Sequence, residues 1–348
     1  MVQVCFFLRT LVFLFVQRRL TSGKRNVQRI ITSDRQKEGG GFVIRRLIGG
    51  NQLRNLDPFL MLDHMGPTSY GPGQAIGAPD HPHRGFETVT YVKQGSFEHI
   101  DSAGNSGYLG PGSVQWMTAG RGIVHSELPS KEILENGGVL EGFQLWVNLK
   151  AVDKMMSPRY QDIPSDEIPV LTLEDGLSTV KAICGSFANE RSPIETLYPM
   201  FYFDVNLKPG GVFKKQYDCD FNSFIYIHDG LGCAEIAGTF VRNGDIAIIE
   251  RCEVEKTALS SSDLEPSSLL EVINIDAAND ISFLFGAGMR LQERVVQYGP
   301  FVMNTDDEIR QAIYDYQTGR LGSIDGAEER YLVTKRAREA GNARYELK

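Results

Sequence analysis

Three of the chain's six histidines fall in two short motifs whose spacing could bring their side chains together. The first motif contains His81 and His83, and the second contains His125 and Glu127. Residues two apart on a β-strand point to the same face of the sheet. If the two motifs form neighbouring strands, three imidazoles and one carboxylate converge on a single centre.

A mixed nitrogen and oxygen ligand set of this kind suits a first-row transition metal, with iron, copper, manganese and nickel all acceptable. The absence of a thiolate argues against a structural zinc site. Four protein ligands leave an octahedral metal with two open positions, enough for a bidentate substrate or for a substrate and dioxygen. The alternative is a solvated strand face carrying alternate histidines, but the second spaced pair within the same predicted barrel favours the metal site.

The other titratable candidates are assigned lesser roles. Glu87, four residues after His83, is a further candidate ligand and is kept in reserve as a group that holds a histidine or Arg84, or as a catalytic base. His64 and His99 are predicted to lie at the surface or at the mouth of a barrel. His228 stands alone in the second half of the chain, so no metal is expected there.

The elements that must position these residues are predicted to be strands. From about residue 41 to residue 285 the sequence shows short β-branched or alternating segments, such as residues 88–92 and 201–207. Turn dipeptides such as Asp229-Gly230 and Asn243-Gly244 separate them. Many short strands with glycine turns predict an all-β sandwich or barrel.

The chain is predicted to form two tandem barrels. Residues 40–150 would form the first, with the metal site, and residues 171–322 the second, without metal. Prolines and acidic residues interrupt the strand pattern at residues 151–170, which are predicted to be a linker. One short helix is expected at residues 305–318, because Thr305 and Glu308 form a capping box and Gly319 supplies a stop. This helix would close the second barrel.

The two ends differ from the body of the chain. Residues 1–33 contain six basic residues and no acidic one. Their apolar run, residues 11–16, is too short for a bilayer span, which needs about 20 residues. A basic, acid-free start is typical of a mitochondrial presequence, and the alternative is a disordered extension at residues 1–39. The charged residues 323–348 are predicted to form a solvated helix or a frayed tail.

Composition excludes several classes of protein. The 348 residues fit two domains of ordinary size or one large one, and 42% hydrophobic and 23% charged residues are globular proportions. The net charge of −8 argues against direct, non-specific nucleic-acid binding. Five scattered cysteines without a C-x-x-C pair argue against a secreted disulfide framework and favour a reduced compartment.

Longer motifs around the histidines resemble the pirin family. The resemblance is carried by residues 81–91, 115–127 and 144–149. The family pattern also fits residues 57–60 and 299–305, and the resemblance as a whole covers about residues 40 to 322. It implies two cupin-type β-barrels, with one Fe²⁺ in the amino-terminal barrel and none in the other. The iron ligands it implies are His81, His83, His125 and Glu127, the same set as the spacing suggests.

The resemblance also implies two alternative functions. Some pirins are described as quercetin 2,3-dioxygenases, which act on flavonols with dioxygen. The hydroxyl and ketone oxygens of a flavonol would then take the open metal positions, and Glu127 or Glu87 would accept the hydroxyl proton. Phe86 and Trp116, close to the ligands in sequence, would either shape the pocket or belong to the barrel core.

Eukaryotic pirins are described as redox-sensitive nuclear proteins that modulate transcription factors. In that alternative a change in the charge of the iron would reposition Arg84 or Arg121. The acidic remainder of the chain would bind a transcription-factor protein. The predicted location is the cytoplasm and nucleus, or mitochondria if residues 1–33 act as a targeting segment. The dioxygenase is the preferred prediction because it requires the complete ligand set, which the sequence contains.

Overall fold

The computed structural model describes residues 24–38, 42–252 and 267–341, and most of its regular structure is β-strand. This confirms the all-β prediction. The helices within these residues are α1 (Lys131–Asn136), α2 (Asp306–Gln317) and α3 (Ala327–Gly341), with one 3₁₀ turn at Ser165–Glu167. None of the described helices is both long enough and apolar enough to cross a membrane.

The strands are numbered along the chain. They are β1 (Val27–Thr32), β2 (Arg35–Glu38), β3 (Phe42–Ile48), β4 (Phe59–Tyr70), β5 (Ala78–His83), β6 (Phe86–Gln94), β7 (Phe97–Asp101), β8 (Ser106–Leu109), β9 (Val114–Thr118), β10 (Ile123–Pro129), β11 (Gly138–Asn148), β12 (Arg159–Ile163), β13 (Val170–Thr172), β14 (Thr179–Cys184), β15 (Ser186–Phe187), β16 (Glu190–Arg191), β17 (Met200–Leu207), β18 (Val212–Asp218), β19 (Asn222–Asp229), β20 (Cys233–Ile236), β21 (Thr239–Arg242), β22 (Asp245–Ile249), β23 (Ser267–Asn274), β24 (Ile281–Gly288), β25 (Val296–Tyr298) and β26 (Phe301–Met303).

The strands form two compact units. Of the described residues, those within 33–169, 192–196 and 291–341 form the amino-terminal unit, and the others form the carboxy-terminal unit. In the amino-terminal unit a seven-stranded sheet has the order β12-β9-β6-β11-β4-β3-β2, and a four-stranded sheet has the order β5-β10-β7-β8. A hairpin of β25 and β26 completes it.

Buried and half-buried side chains alternate along β11, and this alternation distinguishes the two faces of the larger sheet. Phe143, Leu145 and Val147 are buried, whereas Gln144 and Trp146 between them are only half-buried. Because successive side chains on a strand point to opposite faces, one face of β11 packs into the core. The other face presents Gln144 and Trp146 to an open space inside the unit.

The carboxy-terminal unit has the same combination of a seven-stranded and a four-stranded sheet, in the orders β1-β22-β19-β24-β17-β14-β13 and β18-β23-β20-β21. Aromatic side chains fill its core. The Phe213 ring centroid lies 5.6 Å from those of Phe283 and Phe285. His228 is buried there, with Nε2 2.9 Å from Asp204 Oδ1.

The start of the described chain is more ordered than predicted. Residues 27–32, assigned to a targeting or disordered extension, form β1, which pairs with β22 in the carboxy-terminal unit. Residues 29–32 pair in continuous register with β22, and Ile31 is buried. Residues 1–23, which carry most of the predicted targeting segment, lie outside the described residues.

The predicted linker also contains packed structure. Residues 159–163 form β12 and pair with β9 at the edge of the larger sheet. Lys154 is buried, and its ammonium donates to the carbonyl oxygens of Gly85 and Val302 and to Asn148 Oδ1. Residues up to Pro169 therefore group with the amino-terminal unit, because these contacts hold them there.

Helix α2 has the predicted capping box, with Thr305 Oγ1 accepting from the Glu308 amide and the Glu308 carboxylate accepting from the Thr305 amide. Its place differs from the prediction. Ile309 and Ala312 are buried in a cluster with Val124 of β10, so α2 packs within the amino-terminal unit rather than closing the second barrel. The capping box and Gly319 predicted the helix from the sequence, but they did not indicate its packing partner.

The charged tail forms helix α3, and part of it is packed rather than solvated. Arg330 donates two hydrogen bonds to the Asp80 carboxylate, at 2.6 and 2.7 Å. Thr334 and Ala337 are buried. Because β5 is the edge strand of its sheet, α3 covers an edge that would otherwise be open. Residues 342–348 lie outside the described residues.

The turn that follows β5 has little space for a side chain. Gly85 has φ +89°, and a Cβ there would lie 2.0 Å from the carbonyl oxygen of Val302. We expect Gly85→Ala to lower the free energy of unfolding by about 3 kcal/mol or more, since both strain and a backbone clash act. The midpoint of urea unfolding measures this loss.

Gly104→Ala is the matched control. Gly104 has φ +87°, but no described atom lies within 4 Å of the position of its Cβ. Only the left-handed backbone conformation then carries a cost, of about 1 kcal/mol. Equal losses in the two variants would show that the Gly85 turn relaxes freely and does not restrain the end of β5.

Candidate metal centre

The three motif histidines meet on neighbouring strands. β5 and β10 are antiparallel, and His125 lies directly opposite His81 while Ile123 lies opposite His83. The candidate ligand atoms of the three histidines all lie within 4.8 Å of one another. Their ring centroids are 4.4 Å apart for His81 and His125, 4.7 Å for His81 and His83, and 4.9 Å for His83 and His125. The sequence spacing predicted this convergence.

The protonation of the cluster suits metal binding. Burial lowers the pKa of His83 and of His125 well below the ordinary value, and the neighbouring His81 lowers both further. Neutral imidazole is the form that ligates a metal. His81 Nδ1 lies 2.8 Å from the carbonyl oxygen of Pro79. A proton on Nδ1 donates to that carbonyl and leaves the Nε2 lone pair for a ligand.

The surroundings of His125 show whether the cluster fits a metal ion. Its side chain is fully buried, and among the described residues neither of its ring nitrogens has a hydrogen-bond partner. Leaving a buried polar group without a partner costs about 1–3 kcal/mol. A metal ion held by three neutral imidazoles satisfies a nitrogen of this ring, so the residues present fit a divalent first-row metal.

Glu127 lies at the edge of the cluster. Its Oε2 is 4.0 Å from His125 Nε2, and its Oε1 is 2.9 Å from Thr90 Oγ1. The register between β10 and β5 shifts after His125, so that Glu127 lies opposite Ala78. Such an irregularity re-aims a side chain, and bulges are common next to functional sites.

Glu87 and Arg84 occupy other surroundings. Glu87 is buried and accepts a hydrogen bond from Thr118 Oγ1 at 2.6 Å, and burial raises its pKa. It is not among the described residues that line the pocket beside the histidines. Arg84 is buried, with Nε donating to the carbonyl of Arg121 and Nη1 donating to Asp315 of α2 at 2.9 Å. It therefore joins the end of β5 to the helix.

The prediction that His64 and His99 lie at the surface or at a barrel mouth is wrong. Both are buried, and each is paired with a carboxylate that satisfies its ring. His64 Nε2 lies 3.1 Å from Glu141 Oε1, and His99 Nε2 lies 3.0 Å from Asp162 Oδ2. A single histidine gives no sign in the sequence of a partner about 60 to 80 residues away.

A cavity of about 790 Å³ opens beside the histidines, which is the size of a pocket for a small organic ligand. His81, His83 and Glu127 form part of its wall, and the hairpin of β25 and β26 contributes Gln297 and Pro300. Its other lining residues come mainly from the larger sheet and are Ile44, Arg46, Gly49, Leu60, Met61, Asp63, Met65, Thr90, Gln144 and Trp146, with Ala78, Phe97 and Gly299.

The two aromatic side chains among the described lining residues, Phe97 and Trp146, are not those that the sequence analysis proposed for the pocket. Phe86 and Trp116 are fully buried and are not among the described lining residues, so of their two predicted roles they take that of barrel core. Trp146 lines the pocket, with its ring 5.3 Å from that of His83. The period-two alternation of residues 143–149 was the signal that could have assigned Trp146 to the open face.

Residues 41–147 match the family Pirin, and residues 202–322 match the Pirin C-terminal cupin domain. A "Pirin-like protein" from Solanum lycopersicum is 41% identical over 86% of this chain and 94% of its own length. A "Putative quercetin 2,3-dioxygenase" from Pseudomonas aeruginosa is 37% identical over 83% of this chain and 95% of its own length. The crystal structure of a quercetin 2,3-dioxygenase from Acinetobacter baumannii superposes with a TM-score of 0.77 and is 32% identical, covering 86% of this chain and 99% of that chain.

Proposed function

Because the chain belongs to the pirin family and contains two cupin domains, we propose that it is an iron-dependent dioxygenase that acts on flavonols, of the quercetin 2,3-dioxygenase type. One observation carries the proposal. Three imidazoles, of which His83 and His125 are held neutral by burial, meet at the wall of a pocket large enough for a planar molecule of several rings.

The proposed ligands are His81, His83, His125 and Glu127. The unpartnered nitrogens of His125 and the carbonyl-bound Nδ1 of His81 support this set. Fe²⁺ is the proposed ion, and other first-row divalent metals suit the same donors. When bound, the metal supplies Lewis-acid polarisation of the substrate oxygens and a redox centre for dioxygen.

Glu127 is the proposed general base. Thr90 Oγ1 lies 2.9 Å from Glu127 Oε1 and 2.9 Å from Gln144 Oε1, so its one hydroxyl proton is shared between them. This contact restrains Glu127 at the pocket wall and leaves Oε2 to accept the proton of the flavonol 3-hydroxyl. Its position in the wall that also holds His81 and His83 puts the base beside the reacting end of the substrate.

The rest of the pocket orients the rings. Leu60, Met61 and Trp146 give it a largely apolar wall that excludes water from a planar aromatic molecule. A flavonol that enters with its hydroxyl and ketone oxygens toward the histidines buries its ring faces against these side chains.

The test is aerobic incubation of the iron-loaded protein with quercetin. We expect loss of the flavonol absorbance together with oxygen uptake and release of carbon monoxide, and no loss with protein loaded with redox-inert Zn²⁺. Absence of quercetin consumption by fully iron-loaded protein would reject the dioxygenase. Redox-dependent retention of a transcription factor without consumption would favour the co-regulator alternative.

A further inference from the structure

Four polar side chains form a row across the inner face of the larger sheet. Gln144 on β11 lies opposite Asp63 on β4 and opposite Thr90 on β6, and Asp63 lies opposite Arg46 on β3. All four line the pocket, and we call them the polar row. Four successive strands therefore contribute one polar residue each, at the same level, to a wall that is otherwise largely apolar.

The row begins at the metal centre and runs away from it. Thr90 contacts Glu127, so the β6 end of the row lies at the proposed base. Neighbouring strands are about 4.8 Å apart, which places Asp63, two strands further on, about 10 Å from Thr90. A molecule whose chelating oxygens face the histidines reaches Asp63 only if it is long enough to contain several linked rings.

The end of the polar row farthest from the histidines is an ion pair between Arg46 and Asp63. Arg46 Nε donates to Asp63 Oδ1 at 2.9 Å, and Arg46 Nη2 donates to Asp63 Oδ2 at 2.7 Å. Asp63 is 5% exposed. A buried ion pair is often no more stabilising than apolar residues of similar volume, so stability alone gives little reason for it. Each oxygen of the Asp63 carboxylate accepts one hydrogen bond from Arg46, and Asp63 also lines the pocket.

We propose that Asp63, oriented by Arg46, determines specificity by accepting a hydrogen bond from a hydroxyl group at the end of the aromatic substrate remote from the histidines. This inference rests on the proposed function, since it assumes that a flavonol binds with its chelating oxygens at the metal centre. Arg46 is neutralised by Asp63, and an anionic substituent would meet the Asp63 carboxylate. The site therefore selects a neutral phenol over a carboxylate or sulfonate at that end.

The test measures binding without turnover. Metal-loaded protein is titrated anaerobically by calorimetry with 3-hydroxyflavone, 3,4′-dihydroxyflavone and 3,7-dihydroxyflavone. The last two add one hydroxyl at either end remote from the chelating oxygens. We expect one of the two dihydroxyflavones to bind about 10-fold more tightly than 3-hydroxyflavone, the usual effect of a hydrogen bond to a charged acceptor.

The pair variant Arg46→Met/Asp63→Leu removes the acceptor without leaving a buried charge unpaired. We expect it to lose the 10-fold advantage, so that the dihydroxyflavone and 3-hydroxyflavone bind the pair variant with similar affinity. Asp63→Asn tests the charge alone, and thermal unfolding verifies that each variant is folded. An advantage that persists in the folded pair variant overturns the inference.

Asp162→Asn is the matched control. Asp162 continues the same register beyond Gln115 and contacts His99, but it is not among the described residues lining the pocket. Its variant should keep the wild-type ratio of affinities. Equal binding of all three flavones to wild type overturns the specificity role, even if quercetin is consumed. A clear preference without quercetin consumption rejects the dioxygenase and retains the specificity role.

Discussion

His125→Ala is expected to abolish metal binding. His125 is fully buried beside His81 and His83, and its ring nitrogens have no hydrogen-bond partner among the described residues. Loss of a residue that only supports a ligand weakens metal binding about 10- to 100-fold, so loss of a ligand should weaken it by at least about 100-fold. Elemental analysis of protein reloaded with Fe²⁺ and desalted should then show far less than one iron per chain.

His228→Ala is the matched control, because His228 is also a buried histidine but lies in the carboxy-terminal unit beside Asp204. Its iron content should equal that of wild type. Full iron in folded His125→Ala would refute the ligand assignment. A halved iron content in His228→Ala would reveal a second site in the carboxy-terminal unit.

Glu127→Gln should lower the rate of flavonol consumption by about 10²- to 10⁴-fold, the usual contribution of a positioned general base. The amide has nearly the same size and can still accept from Thr90, but it takes up no proton. Oxygen uptake with quercetin as substrate measures the rate, and elemental analysis of the same sample reports the iron.

The iron content separates the two proposed roles of Glu127. A wild-type iron content with slow turnover would assign Glu127 the role of base. An iron content below that of wild type would assign it the role of ligand as well. Unchanged turnover with unchanged iron would refute both. Glu87→Gln provides the comparison: a larger loss of turnover than in Glu127→Gln would transfer the base role to Glu87, which is buried against Thr118.

Features that depend on residues close in sequence were predictable. The two-residue spacing of His81 and His83 aims both imidazoles to one face whatever the rest of the chain does, because a strand has a period of two. The capping box at Thr305 and Glu308 is likewise local, and α2 begins where it predicts. The all-β class followed from repeated short strands and glycine turns.

Features that depend on distant residues needed the tertiary structure. His64 and His99 were misplaced because their carboxylate partners, Glu141 and Asp162, lie far away in sequence. The packing of α2 against β10, and of α3 along β5, depends on segments about 180 to 250 residues apart in the chain. An apolar stripe on a helix shows that the helix packs against another element, but it does not show which element that is.

The sequence by itself predicted the candidate donors, three imidazoles and a carboxylate, from two pairs of residues that are each spaced two apart. Only the tertiary structure decided that β5 and β10 are neighbours, and that Glu127 follows a shift in register. It also placed Arg46, Asp63, Gln144 and Thr90 at one level of one wall. The physical reason is that side-chain direction is a property of a single strand, whereas strand pairing and register are set by hydrogen bonds between segments remote in sequence.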